Sequence, residues 1–331
     1  MSGPLPPLSK AGTPIAGLQP DPRDDRDIDM LQDPHVQLLA RQVGGPLHRL
    51  SAKGRAKPSL KAMAPPPTAL SLRAHCGPVV DQGPLNACTA HAAVALMNLV
   101  QAHLNKRVFV GSRMFLYKVS RSLLSMTGDS GAYLRTAVGA LALFGLPPEK
   151  YWAYDPERLD AEPTGFCYQL GQKYRASSYF RVDSAGVPPE AVVGRIKGLL
   201  QQGLPSMVGY IVYFGAEFQA RASGAIPLPL DTDLKVGGHA LMICGYDDAK
   251  VITNSSTNGA TSTGAFEIQN SRGTGWGEQG FGWLPYDYFH KTLATDVWSV
   301  INMDWVDLQP FSQAPDGAPG EVEGPARPSG A

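Results

Sequence analysis

Apolar and polar positions follow two different patterns along this chain. Residues 88–104 are rich in Ala, Leu and Met and hold no Gly or Pro. That composition predicts one long buried helix. Further helices are predicted over 113–124, 133–144 and 189–202. The last opens on Pro188-Pro189 and stops at Gly203, which is good start and stop chemistry. Beyond it the pattern changes to short apolar runs at 206–213, 239–246, 251–254, 265–270 and 297–303, divided by Gly, Asn and Asp. These read as strands of an antiparallel sheet or barrel. Helices first and strands later predict an α+β fold of two lobes with a cleft between them. The helical lobe is expected at about 67–200 and the sheet lobe at about 201–308, and no internal repeat is found.

Composition sharpens the boundaries. Twelve of the 29 prolines fall in residues 1–70 and five in 309–331. The 12 that remain in 71–308 are an ordinary globular share. The excess therefore marks two biased tails around a folded core. Residues 1–66 carry an acidic cluster from Asp21 to Asp33 and then a basic stretch. They read as a disordered linker or as an inhibitory pro-segment acting in cis, with only 35–43 having a helical look. The tail at 309–331 reads as disordered.

Lys plus Arg and Asp plus Glu both count 29, so the net charge is zero. That argues against a general nucleic-acid binder, which needs clustered positive charge. No apolar run has the length of a membrane span. The start, Met1-Ser2-Gly3-Pro4, lacks the basic and apolar regions of a secretory signal. The expected location is the cytoplasm, or outside it by a signal-independent route. Four cysteines (Cys76, Cys88, Cys167, Cys244) are too few for a disulfide scaffold.

The candidate chemistry starts at Cys88, where a turn-rich segment runs into the long helix. A helix N-terminus carries partial positive charge and free N–H groups, which favour a thiolate. Gln82, six residues earlier, carries an amide able to fold back beside the Cys88 N–H as a second oxyanion donor. His239 opens an apolar strand after Gly237-Gly238 and is a candidate base. Asn270 ends a strand before a Gly-rich loop, and its side chain can orient an imidazole. Each residue also has a bland reading, such as a buried thiol, a core histidine or a strand connection. His91, at i+3 from Cys88, is a rival base whose simpler reading is a packed helix residue. Cys167 and Cys244 read as core thiols. Cys76 beside His75 lacks a second ligand pair for zinc, so no metal or cofactor is expected. Asp247 and Asp248 read as turn residues.

Taken together, the order Gln82…Cys88…His239…Asn270 resembles the papain-like cysteine peptidases. The Gln-to-Cys spacing, the Gly-His-Ala step and the loop Asn-Ser-x-Gly-x-x-Trp-Gly-x-x-Gly-Phe from Asn270 to Phe281 all match. Cys88-Thr89-Ala90 looks most like bacterial members. The resemblance covers about residues 70–305. It implies a two-lobed fold and cysteine endopeptidase activity through a thioester. It gives Cys88 the role of nucleophile, His239 of general base and acid, Asn270 of orienting group and Gln82 of oxyanion donor. Gly131 and Ala132 resemble the strip that pairs with substrate backbone. Gly209 and Ala240 would line a side-chain pocket roomy enough for a bulky apolar group. Trp276 would line the leaving-group side, and the segment 254–264 would be a loop near the cleft. The implied partner is a peptide or protein substrate.

Three positions depart from the family pattern. Leu85 stands where a bridging cysteine is usual, Thr89 where plant and animal members carry Trp, and Arg272 where a Trp shields the His–Asn bond. These departures keep open a catalytically impaired peptide- or partner-binding protein, or a transpeptidase or amidase on the same residues.

Overall fold

The structure is a computed structural model that describes residues 18, 21, 27–32, 67–104 and 109–301. The helical stretch expected at 35–43 and the tail at 309–331 lie outside the described residues.

Helix α1 (Cys88–Leu104) is the spine of the helical lobe. Its Ala90, Ala93, Leu96, Met97 and Val100 are all buried, as its composition requires. Helices α2 (Arg113–Leu123) and α3 (Leu134–Leu143) pack against it and against each other. The N-cap of α2 is Ser112, whose hydroxyl accepts the Phe115 N–H at 3.1 Å. A short helix, α4 (Gly165–Gly171), completes this side.

The other lobe is one antiparallel sheet. Its strands are β1 (Ala69–Ser71), β2 (Ser178–Arg181), β3 (Ser206–Tyr213), β4 (Lys235–Thr253), β5 (Thr261–Gln269), β6 (Phe281–Pro285) and β7 (Ala294–Ile301). The spatial order is β2-β7-β3-β4-β5-β6, with β1 paired to β4. Helix α5 (Pro189–Leu200) packs on β4 and on α7 (Tyr286–His290), and α6 (Phe214–Ser223) returns over β3. The α+β class with helices against an antiparallel sheet is as the sequence predicts.

Three details differ from the sequence reading. The runs 239–246 and 251–254 are one strand, β4, interrupted by a register shift between Asp247 and Val251. Within that bulge the Asp247 carboxylate accepts the Ala249 N–H at 2.8 Å, so the turn chemistry sits inside the strand. Segment 178–200, grouped with the helices by sequence, supplies a strand to the sheet and a helix packed on it. Helix α6 went unseen because its start is set by a distant group. The Asp233 carboxylate accepts the N–H groups of Gly215 and Ala216, while half of the helix is exposed.

The two lobes meet where α1 packs on β4. This contact brings the start of α1 towards the start of the apolar half of β4. The β3–β4 register pairs Gly209 with Ala240 and Tyr210 with His239.

Candidate active site

Cys88 is the first residue of α1 and is fully buried. The segment before it is tied to the loop after Asn270. Gln82 N–H donates to Ser271 O at 2.9 Å, and Gly273 N–H donates to Val80 O at 3.1 Å. Gly83 takes φ +58°, a left-handed turn that suits glycine. The Gln82 amide spans this junction, with Nε2 donating to Leu85 O at 2.8 Å and Oε1 accepting from Ser271 Oγ at 2.5 Å. One Nε2 hydrogen is thereby used locally, and the second is the one left for an oxyanion.

His239 is 1% exposed. Its Nε2 lies 2.9 Å from Asn270 Oδ1, which also accepts the Ser271 N–H at 2.8 Å. Because Asn270 Oδ1 can only accept, the network assigns the proton to Nε2 and leaves Nδ1 as the basic nitrogen. The Tyr210 ring stands edge-on to the imidazole, with centroids 5.9 Å apart. Burial first, then the Arg272 guanidinium, pushes His239 well below its ordinary range, while the Asn270 contact favours the charged form.

A second network joins the nucleophile segment to the strip at Gly131. The Asp129 carboxylate accepts from the Asn86 N–H, Asn86 Nδ2 and Tyr117 Oη, the last at 2.6 Å. Tyr117 Oη in turn accepts the Gly131 N–H at 3.0 Å. Gly131 needs φ +71°, which only glycine adopts without strain. Tyr117 and Asp129 were not singled out by sequence, although Gly128-Asp129-Ser130-Gly131 carries a turn signature.

The strip is occupied by the chain itself. Leu18 forms a parallel bridge with Ala132. A Cβ built on Gly209 would lie 2.6 Å from Leu18 Cδ2, and one on Gly238 would lie 3.3 Å from the same atom. The absent side chains of these two glycines are therefore the space that the leucine fills. Further along, Asp21 and Asp27 pair with Arg135 at 2.8 and 3.0 Å, and Asp27 also pairs with Arg181 at 3.1 Å. Asp29 pairs with Arg195 at 2.7 Å and accepts from Ser184. Met30 is fully buried, and its N–H donates to Arg181 O. Residues 27–32 thus lie against the body of the protein. Asp21, Asp27 and Asp29 find three buried or half-buried arginines, so few apolar residues are needed to hold them.

Other expected positions resolve as follows. Ala240 is buried and lines a small cavity with His91, Arg113, Gln269 and Asn270. Trp276 is 4% exposed and packs on Gly282, whose Cβ would fall 2.8 Å from its ring. The Gly-rich loop folds around the ring. His91 Nδ1–H donates to Ala87 O at 2.9 Å, and its ring meets Tyr154 edge-on. Burial pushes it down to about 3, so it is a packed neutral helix residue. No disulfide joins any of the four cysteines. The loop near 254–264 is tied to α6 through Gln219, whose amide bonds Asn254, Ser255 and Ser256. Among the described residues no group of His, Cys, Asp and Glu has the makings of a metal site, and no helix is long and apolar enough to cross a membrane.

No protein-family model matches the chain. It is 30% identical over 228 residues to an uncharacterized peptidase C1-like protein of Acanthamoeba polyphaga mimivirus, covering 67% of this chain and 68% of that protein. Among solved structures it resembles xylellain, a cysteine protease from Xylella fastidiosa. That likeness has a TM-score of 0.66 and 27% identity, over 90% of this chain and 99% of xylellain. Procathepsin L 3 of the Tenebrio molitor larval midgut shares the fold at TM-score 0.54 and 18% identity, over 80% and 78% of the two chains. The chain belongs to the papain-like, peptidase C1-like family of cysteine peptidases. Its expected class, a cysteine peptidase of papain-like fold, stands.

Proposed function

We propose that this peptidase cleaves peptide bonds with Cys88 as nucleophile, His239 as general base and acid, and Asn270 as the group that orients the imidazole. The observation that carries this reading is the 2.9 Å contact between His239 Nε2 and Asn270 Oδ1 on the lobe facing the start of α1. It leaves Nδ1 to take the Cys88 proton. A thiolate at a helix start and an imidazolium opposite stabilise each other, offsetting the burial that otherwise favours the neutral ring. The thiolate sulfur attacks the substrate carbonyl carbon, and the carbonyl oxygen takes up the electron pair. The Cys88 N–H and the free Nε2 hydrogen of Gln82 donate to that oxygen. Collapse of the intermediate breaks the C–N bond, and His239 gives its proton to the leaving amine. Water then attacks the thioester, His239 accepts a proton from it, and the acid product leaves with the thiol restored.

The substrate would lie extended on Gly131 and Ala132, with an apolar side chain against Gly209 and Gly238. Leu18 supports both parts of this reading, since it is an apolar residue paired with Ala132 at that place. On the same ground residues 18–32 act as an inhibitory segment in cis.

The test is direct. An epoxide-type thiol alkylator should modify Cys88 in reducing buffer and abolish peptide hydrolysis, and Cys88→Ala should be inactive. Activity retained in Cys88→Ala would end this reading.

A further inference from the structure

One polar cluster beside His239 has no part in the chemistry proposed above. Arg272 follows Asn270 by two residues and forms an isolated bridge with Asp81. Its Nε lies 2.9 Å from Glu217 Oε1 on α6. The other Glu217 oxygen, Oε2, accepts from Tyr210 Oη at 3.2 Å. Tyr210 is buried and presents its ring edge-on to His239. The three side chains thus link the loop after β5, helix α6 and strand β3, and they end on the imidazole.

We propose that Arg272, Glu217 and Tyr210 form a positioning unit that holds the His239 ring through its edge-on contact with Tyr210 and biases the charge shared between His239 and Cys88. The proposal rests on the catalytic reading above. A ring tied only through Nε2 keeps freedom to swing about that bond. A buried tyrosine packed edge-on removes the freedom only if its own hydroxyl end is fixed, and Glu217 fixes it. Glu217 is itself anchored by Arg272, whose backbone belongs to the same loop as Asn270. The unit therefore couples the position of the ring to that of its orienting amide.

The charges act with definite sign. The groups around His239, Cys88 and Arg272 are His91 from α1, Tyr210 from β3, Glu217 from α6 and Asp81 from the segment before α1. The Arg272 guanidinium interacts with Cys88 as well as with His239. A cation there favours the thiolate and disfavours the imidazolium. It moves both edges of the active pH range downward, and Glu217 moderates it.

The experiment uses the full chain and the rate of Cys88 alkylation by iodoacetamide across pH, with the adduct located by mass. The same variants are assayed for kcat/KM on a short peptide. Arg272→Gln should shift both edges to higher pH by about half a unit, and Glu217→Gln, which leaves the arginine unpaired, should shift both to lower pH by a similar amount. Arg272→Lys keeps the charge and should keep the wild-type edges, which covers the case in which the glutamine variant folds poorly. Tyr210→Phe should leave the edges in place and lower the rate about threefold through a looser ring. Shifts in the same direction for Arg272→Gln and Glu217→Gln, or no shift in either, would overturn the proposal while leaving the catalytic reading intact. If Cys88 in the wild type reacts no faster than Cys76 at neutral pH, the catalytic reading itself fails.

Discussion

Leu18 lies so close to Gly209 that a Cβ on the glycine would fall 2.6 Å from Leu18 Cδ2. The leucine and a substrate side chain cannot share that space. Leu18→Gly should therefore weaken the hold of the N-terminal segment on the cleft. Burial of a leucine side chain is worth about 1.5–3 kcal/mol, so hydrolysis of a short peptide should rise on the order of tenfold. The gain should fall on KM, because the segment competes for the site without touching the reacting atoms. An unchanged KM would mean that the segment does not occupy the cleft in solution.

The same segment is held by ion pairs, among them that of Asp29 with Arg195. Burial works to raise its carboxyl, but hydrogen bonds from Ser184 and Arg195 hold it below the usual range. A depressed carboxylate stabilises docking above its undocked value of about 3.9, and that stabilisation is lost as pH falls through the docked value. Asp29→Asn should remove it at every pH. The Met30 N–H, which donates to Arg181 O, should then exchange with deuterium about tenfold faster at pH 7. Exchange equal to wild type would assign the docking to Met30 burial alone.

Asp296 works in the opposite sense. Burial raises its carboxyl to about 7, against the pull of Arg181 and the Trp298 N–H. In the unfolded chain it ionises near 3.9, so between there and about 7 the folded state holds the extra proton. Its contribution to stability accordingly falls as pH rises through that window and is constant above it. Asp296→Asn should flatten this dependence and raise stability at pH 8 relative to pH 5 by on the order of 1–2 kcal/mol. Urea unfolding at the two pH values checks it, and a larger wild-type-like fall in the variant would sink the assignment.

Asn270→Ala removes the acceptor for His239 Nε2 while leaving Cys88 and the strip intact. The expected loss is about 10²-fold in kcat with KM little changed, since the group acts on a catalytic base and not on substrate. An equal loss in KM would place Asn270 in substrate binding instead.

Legibility from sequence followed the range of the interactions. Helix α1 could be read to the residue because a Gly- and Pro-free apolar run needs no distant partner. Cys88, His239 and Asn270 could be picked out as candidates because a thiol at a helix start, a His after two glycines and an Asn before a Gly-rich loop each leave a local mark. Helix α6 left none, since its first N–H groups are satisfied by Asp233 from a later segment. The close packing of Trp276 left no local mark either. Its neighbours Gly277 and Gly280 look like an open loop in sequence, yet Gly282 comes up against the ring. The docking of Asp21, Asp27 and Asp29 depends on arginines more than 100 residues away. Hydrophobic periodicity carries no information about such pairings.

Tyr117 offers a test of how the strip is held. Its hydroxyl donates to Asp129 and accepts the Gly131 N–H, so one oxygen connects the residue that fixes Asn86 to the residue that starts the strip. Tyr117→Phe keeps the buried ring and removes only that oxygen. The Gly131 N–H then loses its partner, and a lost hydrogen bond of this kind costs about 1 kcal/mol or somewhat more when buried. If the strip pairs with substrate backbone as proposed, in both ground and transition states, KM should rise about fivefold with kcat nearly unchanged. A fall in kcat at constant KM would show instead that Asp129 transmits the change through Asn86 to the start of α1 and the Cys88 thiol.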